Sequence, residues 1–97
     1  MTIVIYTSKE LSWYGRIVRD REAPQAVSAE VVSLLRLERV RRGISMNRLA
    51  QKSGLSQSMI SLLERGKRTP TLATVLRIAA ALNVDPSKLL KVAAKTN

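Results

Sequence analysis

The period of hydrophobic and polar positions along this chain changes once, near residue 29. Before that point Thr2-Ile3-Val4-Ile5-Tyr6 is β-branched and apolar, a pattern that predicts a strand. In residues 12–18, Trp13, Gly15 and Ile17 alternate with Tyr14, Arg16 and Val18, which predicts a second strand and, with the first, a β-hairpin. A two-stranded ribbon is marginal in water on its own, so this one needs a partner surface. Residues 19–28, which contain Pro24, read as a connector. From Ala29 onward the apolar spacing is helical. Val31, Leu34 and Leu35 open a helix that runs to Arg42 and ends at Gly43.

Four shorter helices follow. Ser45 is placed to cap residues 46–52, and Gly54 falls where the chain must enter a left-handed conformation that costs little without a Cβ. Ser56 caps the next helix, residues 57–65, and Gly66 stops it. Pro70 and the cap Thr71 introduce a fourth, with Leu72, Val75, Leu76, Ala79 and Leu82 on one stripe and Asn83 at its end. Asp85 caps a fifth, with Pro86 in its first turn and Leu89 and Leu90 as apolar anchors. Fraying is expected from Lys91. The predicted organisation is an N-terminal extension (1–28), an all-α five-helix domain (29–92) and a frayed tail (93–97). No internal repeat or low-complexity segment interrupts it.

Composition narrows the chemistry. The chain has 97 residues, enough for one small core, and 45% of them are hydrophobic, as in a folded domain. It holds neither cysteine nor histidine, which removes thiol nucleophiles, disulfides, the usual zinc sets and imidazole bases together. The seven carboxylates are scattered, and Asp20 with Glu22 lies in the connector, so catalysis has no candidate residues and no metal or cofactor is expected. No apolar run approaches the roughly 20 residues that span a bilayer, and the Thr2-to-Tyr6 run is too short and lacks a basic lead for a secretory signal. A cytoplasmic, nucleoid-associated location is expected.

Net charge is +10, and its distribution is uneven. Residues 1–30 carry four basic and four acidic side chains, residues 31–70 nine and two, and residues 71–97 four and one. The excess therefore lies on the two central short helices and their flanks, as on a phosphate-binding face. All three aromatic residues, Tyr6, Trp13 and Tyr14, precede residue 15. The basic region thus lacks the stacking platforms that single-stranded nucleic acids need.

Two short helices joined by a tight turn form the smallest unit that places one helix in the major groove of duplex DNA. Ala50 permits close approach of the two, while Leu49, Leu55, Ile60 and Leu63 face inward and Gln57, Ser58, Ser61, Leu62 and Arg65 face outward. The Ala50, Gly54, Ile60, Leu63 spacing, followed by Glu64-Arg65-Gly66-Lys67-Arg68-Thr69-Pro70, resembles the phage-repressor (Cro/repressor, XRE) helix-turn-helix family. The resemblance covers residues 31–90 and implies a compact, lambda-repressor-like all-α domain. In that domain the first, fourth and fifth helices brace the second and third.

Base contacts are expected from Gln57, Ser58, Ser61 and Leu62. The Gln57 amide suits the adenine N6/N7 edge, and the family carries glutamine at the matching position. Ser58 and Ser61 are short enough to meet either a base or a phosphate. Leu62 either packs on thymine methyls or is half-buried against its own helix. Phosphate contacts are expected from Asn47, Arg48, Gln51 and Lys52, from Ser56 at a helix N-terminus, and from Lys67, Arg68 and Thr69. Many relatives carry glutamine where this chain has Met46, so that phosphate contact is absent here. The resemblance also implies a structural ion pair between Arg39 and Glu64.

The function these residues imply is binding of double-stranded DNA at a palindromic operator, as a homodimer that regulates transcription. An antitoxin whose N-terminal segment holds a toxin, and a protein-interaction module on the same fold, are the alternatives.

Overall fold

The structure, a computed structural model, describes residues 22–96. These residues form five helices: α1 (Ala23–Arg41), α2 (Met46–Ser53), α3 (Gln57–Glu64), α4 (Leu72–Ala81) and α5 (Pro86–Thr96), with no strand among them. The all-α, five-helix class is as expected. The hairpin expected before residue 19 lies outside the described residues.

Local sequence sets where each short helix begins. Ser45, Ser56 and Thr71 are extended N-caps whose side-chain oxygens accept from the backbone N–H groups of Arg48, Met59 and Thr74, each satisfying a donor that the first turn leaves unpaired. At the start of α5, Asp85 Oδ1 accepts from the Ser87 N–H at 2.9 Å and from the Ser87 hydroxyl at 2.8 Å. Those hydrogen bonds hold the Asp85 carboxyl below its ordinary pKa.

Helix ends are set by left-handed residues. At α3 the Gly66 N–H donates to Leu63 O and the Lys67 N–H to Leu62 O, the paired bonds of a Schellman ending. Asn83, at φ 56°, closes α4 in the same way, with its own N–H on Ala80 O and the Val84 N–H on Ala79 O.

All five helices feed one core, made of Val31 and Leu35 from α1, Leu49 and Ala50 from α2, Ile60 and Leu63 from α3, Val75, Ile78 and Ala79 from α4 with Leu82 at its C-cap, and Leu89 and Ala93 from α5. Leu49, Ile60 and Leu82 are the largest fully buried side chains, each contributing about 1.5–3 kcal/mol by leaving water. Helix α1 packs along α5, and α2 packs on both α3 and α4. None of these helices is long and apolar enough to cross a membrane.

Several expectations are corrected. Helix α1 begins at Ala23, so residues 23–28 are helical and not a connector. Pro24 sits in the first turn, where its missing N–H would have had no partner anyway. Helix α5 does not fray from Lys91 but continues to Thr96, because Ala93 lies in the core and Ala94 is buried beside it. The α4 stripe is rotated: Leu72 is 66% exposed and Leu76 also faces outward, while Ile78 takes the inner position. Leu90 is exposed too, leaving Leu89 as the inner anchor of α5.

Candidate nucleic-acid interface

The turn between α2 and α3 is built from three consecutive residues. Gly54 has φ +76° and returns its N–H to Ala50 O at 3.0 Å. Buried Ser53 donates through Oγ to Ala50 O and accepts from the Leu55 N–H. Leu55 then turns inward to the core, and Ser56 starts α3. A Cβ at Gly54 would also lie 3.2 Å from Arg77 Nη1, so a guanidinium from α4 rests over the turn.

Ile60 and Leu63 lock one face of α3 into the core. The opposite face is open. Gln57, Ser58 and Arg65 are exposed, Ser61 and Leu62 are half-buried, and the five line one shallow depression on the surface. Met59 packs against the edge of the core. The Ser56 cap bonds the Met59 N–H at 3.0 Å, and the first intrahelical bond is that of the Ile60 N–H, so the Gln57 and Ser58 N–H groups have no partner within the helix. Such a helix end favours an anion.

Beside α3, Asn47, Arg48, Gln51 and Lys52 are exposed on α2, with Arg48 Nη1 donating to Gln51 Oε1 at 3.3 Å. Met46 is half-buried and packs against the core, so its side chain fills space there. On the other flank Lys67, Arg68 and Thr69 are exposed. Arg68 and Thr69 do not share the depression over α3. They border a second, polar groove with Gln25, Ser28 and Ser33 of α1.

One buried charge fixes the far end of α3. Arg39 is 8% exposed, and its Nε and Nη2 donate to the two carboxylate oxygens of Glu64 at 2.7 and 3.0 Å. Its remaining terminal nitrogen, Nη1, donates to Ile44 O at 2.7 Å. The guanidinium thus ties the end of α1, the entry to α2 and the last residue of α3. Arg36 approaches the same carboxylate at 3.9 Å from the solvent side.

The other acidic residue of the central region is also committed. Glu38 bonds both Arg41 and Arg42, and those hydrogen bonds hold its carboxyl down at about 2. Between Ser45 and Thr71 the sequence has five cations, Arg48, Lys52, Arg65, Lys67 and Arg68, and one acid, the engaged Glu64. None of the five makes an ion pair with another described residue. Helical spacing places Arg65 outward but at the helix end, and by itself gives it no role. Ser53 had no signal beyond its place before a glycine.

A short helix held rigidly beside a second, with its polar face open and cations on both flanks, defines a helix-turn-helix domain. The family model described as helix-turn-helix matches residues 35–89, more than half of the chain, and the chain belongs to that XRE-type family. It is similar to the HTH-type transcriptional regulator SutR of Escherichia coli K12, 44% identical over 52 residues that make up 54% of this chain and 29% of that protein. It is similar also to the HTH-type transcriptional regulator SlrR of Bacillus subtilis 168, 40% identical over 57 residues, 58% of this chain and 38% of that one. The control protein C.SmaI of Serratia marcescens is 43% identical over 47 residues, 48% of this chain and 56% of its own length. The chain spans less than two thirds of each of these relatives.

The buried pair generates a stability prediction. Glu64→Ala strands the Arg39 guanidinium in the core and should lower the unfolding free energy by about 3–5 kcal/mol, read as a lower urea midpoint at unchanged slope. A loss below about 1 kcal/mol would place the pair among solvated surface contacts.

Proposed function

We propose that this protein binds duplex DNA sequence-specifically, as a dimeric regulator of transcription, with α3 in the major groove. The observation that carries the reading is the free outward face of α3, with Gln57 and Ser58 at its N-terminal end, between unpaired cations on α2 and on the loop after α3. The relatives, two transcriptional regulators and a control protein, agree with it.

Gln57 reads a base edge, and Ser58, Ser61 and Leu62 complete the contacted strip. Asn47, Arg48, Gln51, Lys52, Ser56, Lys67, Arg68 and Thr69 hold the phosphates on either side. One module makes few base contacts, so two copies on half-sites about one helical turn apart supply the specificity. The operator is accordingly palindromic, and the pairing of subunits falls to the apolar N-terminal segment.

Selection of bound fragments from random duplexes yields the operator and its symmetry together. On the selected site Gln57→Ala should cost roughly 1–3 kcal/mol, with little change on random DNA. Equal weakening on both would remove Gln57 from base reading. Replacing Lys52 or Arg68 by alanine should instead weaken all sequences alike, and flatten the dependence of log K on log salt by about one unit per lost phosphate contact. An unchanged slope for both places them off the backbone, and a flat slope for the wild type favours a protein-interaction module.

Deleting residues 1–20 should leave the five helices folded, because α1 starts only at Ala23. The truncated protein should sediment as a monomer and bind a full operator far more weakly, with its affinity for one half-site little changed. A truncation that still dimerises would move the subunit contact to the helices.

A further inference from the structure

We propose that Arg65 is a second base-reading residue, recognising the O6/N7 edge of a guanine from the far end of α3. This rests on the DNA-binding reading above and adds a residue to it. At about 100° per residue, Ile60 and Leu63 point on average roughly opposite to Arg65. Arg65 therefore lies near the centre of the outward face, one turn beyond Ser61 and in the same open depression as Gln57, Ser58 and Leu62.

Its guanidinium is available. Among the described residues only its Nε is engaged, by a 3.4 Å hydrogen bond to Ser61 O of its own helix, and neither terminal nitrogen has a partner there. The arginines at the C-terminal end of α1 differ: Arg39, Arg41 and Arg42 are each held by a carboxylate. Glu64, the adjacent acid, turns the other way into Arg39 and does not compete.

Position and reach fit a base better than a phosphate. Arg65 stands on the face that also carries Gln57, eight residues or ~12 Å along the helix. At 3.4 Å per base step this corresponds to roughly three base pairs. The C-terminal end of an inserted helix draws away from the groove floor, so a short side chain there would fall short. Arginine is long, and its planar fork matches the two adjacent acceptors of guanine, the commonest specific contact in the major groove. Gly66 and the Schellman ending fix the backbone directly behind it.

The test compares full-length wild type, Arg65→Ala and Arg65→Lys by selection from random duplexes, then by titration on the selected site and its single-base variants across a salt series. Thermal melts of each variant check folding, which an exposed side chain should leave unchanged. Wild type should select a G·C pair about three positions from the pair that Gln57→Ala relaxes. Arg65→Ala should keep the rest of the motif and lose the preference at that pair by about 5- to 140-fold. Arg65→Lys should keep the wild-type salt slope without restoring the full preference.

Uniform weakening on every sequence, with a slope one unit lower and full rescue by lysine, would make Arg65 a phosphate contact and overturn the inference. No change in either variant would take it off the interface. A wild type that selects no sequence at all would overturn the DNA reading and this inference with it. That outcome is distinct from a motif that Arg65 does not influence.

Discussion

The Arg39 guanidinium is the fixed point around which the helix-turn-helix is assembled. A charge this deeply buried is tolerated only if its donors are satisfied, and here the fork meets a carboxylate while the remaining terminal nitrogen meets a backbone carbonyl. The partners come from three places: Glu64 ends α3, Ile44 precedes the cap of α2, and Arg39 itself belongs to the last turns of α1. Replacing both charges with apolar groups of similar volume need not reduce stability, since buried pairs often only break even. What an apolar pair would not supply is direction. The bidentate geometry sets the rotation of α3 about its own axis, and that rotation decides which side chains face outward.

Rotation alone does not fix a helix of eight residues, which is too short to hold together by propensity. Its ends are fixed separately, by the Ser56 cap at one and the Gly66 turn at the other. Ile60 and Leu63 add the apolar anchor between them. With the ends, one face and the rotation all set, the open face is ordered before any ligand arrives, and less ordering free energy is lost on contact.

How much of this is legible in the sequence depends on how local the cause is. The caps at Ser45, Ser56, Thr71 and Asp85, the stops at Gly54, Gly66 and Asn83, and the inward set of α2 and α3 follow from chemistry within a few residues. The helix bounds there agree with the sequence to within a residue. The two ends of the domain are less legible. Ala23 and Pro24 resemble a linker until the first-turn tolerance for proline is considered, and Ala93 holds α5 only because α1 lies alongside. Period alone also overstates α4, since Leu72 and Leu76 continue an apolar pattern on a side that the core of the described residues does not cover. In the candidate site, spacing placed Gln57 and Ser58 outward but had no means to show that Ser53 seals the turn. Nor could it show that the Arg65 fork is left unused while the neighbouring acid is engaged elsewhere.

That division of the acids gives the surface its electrostatic character. Three of the five carboxylates in the described residues have clear roles: Glu38 is taken by Arg41 and Arg42, Glu64 by Arg39, and Asp85 by the start of α5. The first two neutralise arginines of α1, where the helix end is anchored. The third serves a helix remote in sequence from the turn. No carboxylate is left exposed between Ser45 and Thr71, so the field there is of one sign and is not cancelled by neighbours. At physiological ionic strength such a field reaches only about 8 Å, which suits a polyanion that must come into contact. The pairing of Glu64 with Arg39 that positions α3 therefore also withholds the one acid of this segment from its cations, so the shape and the charge of this surface share one structural origin.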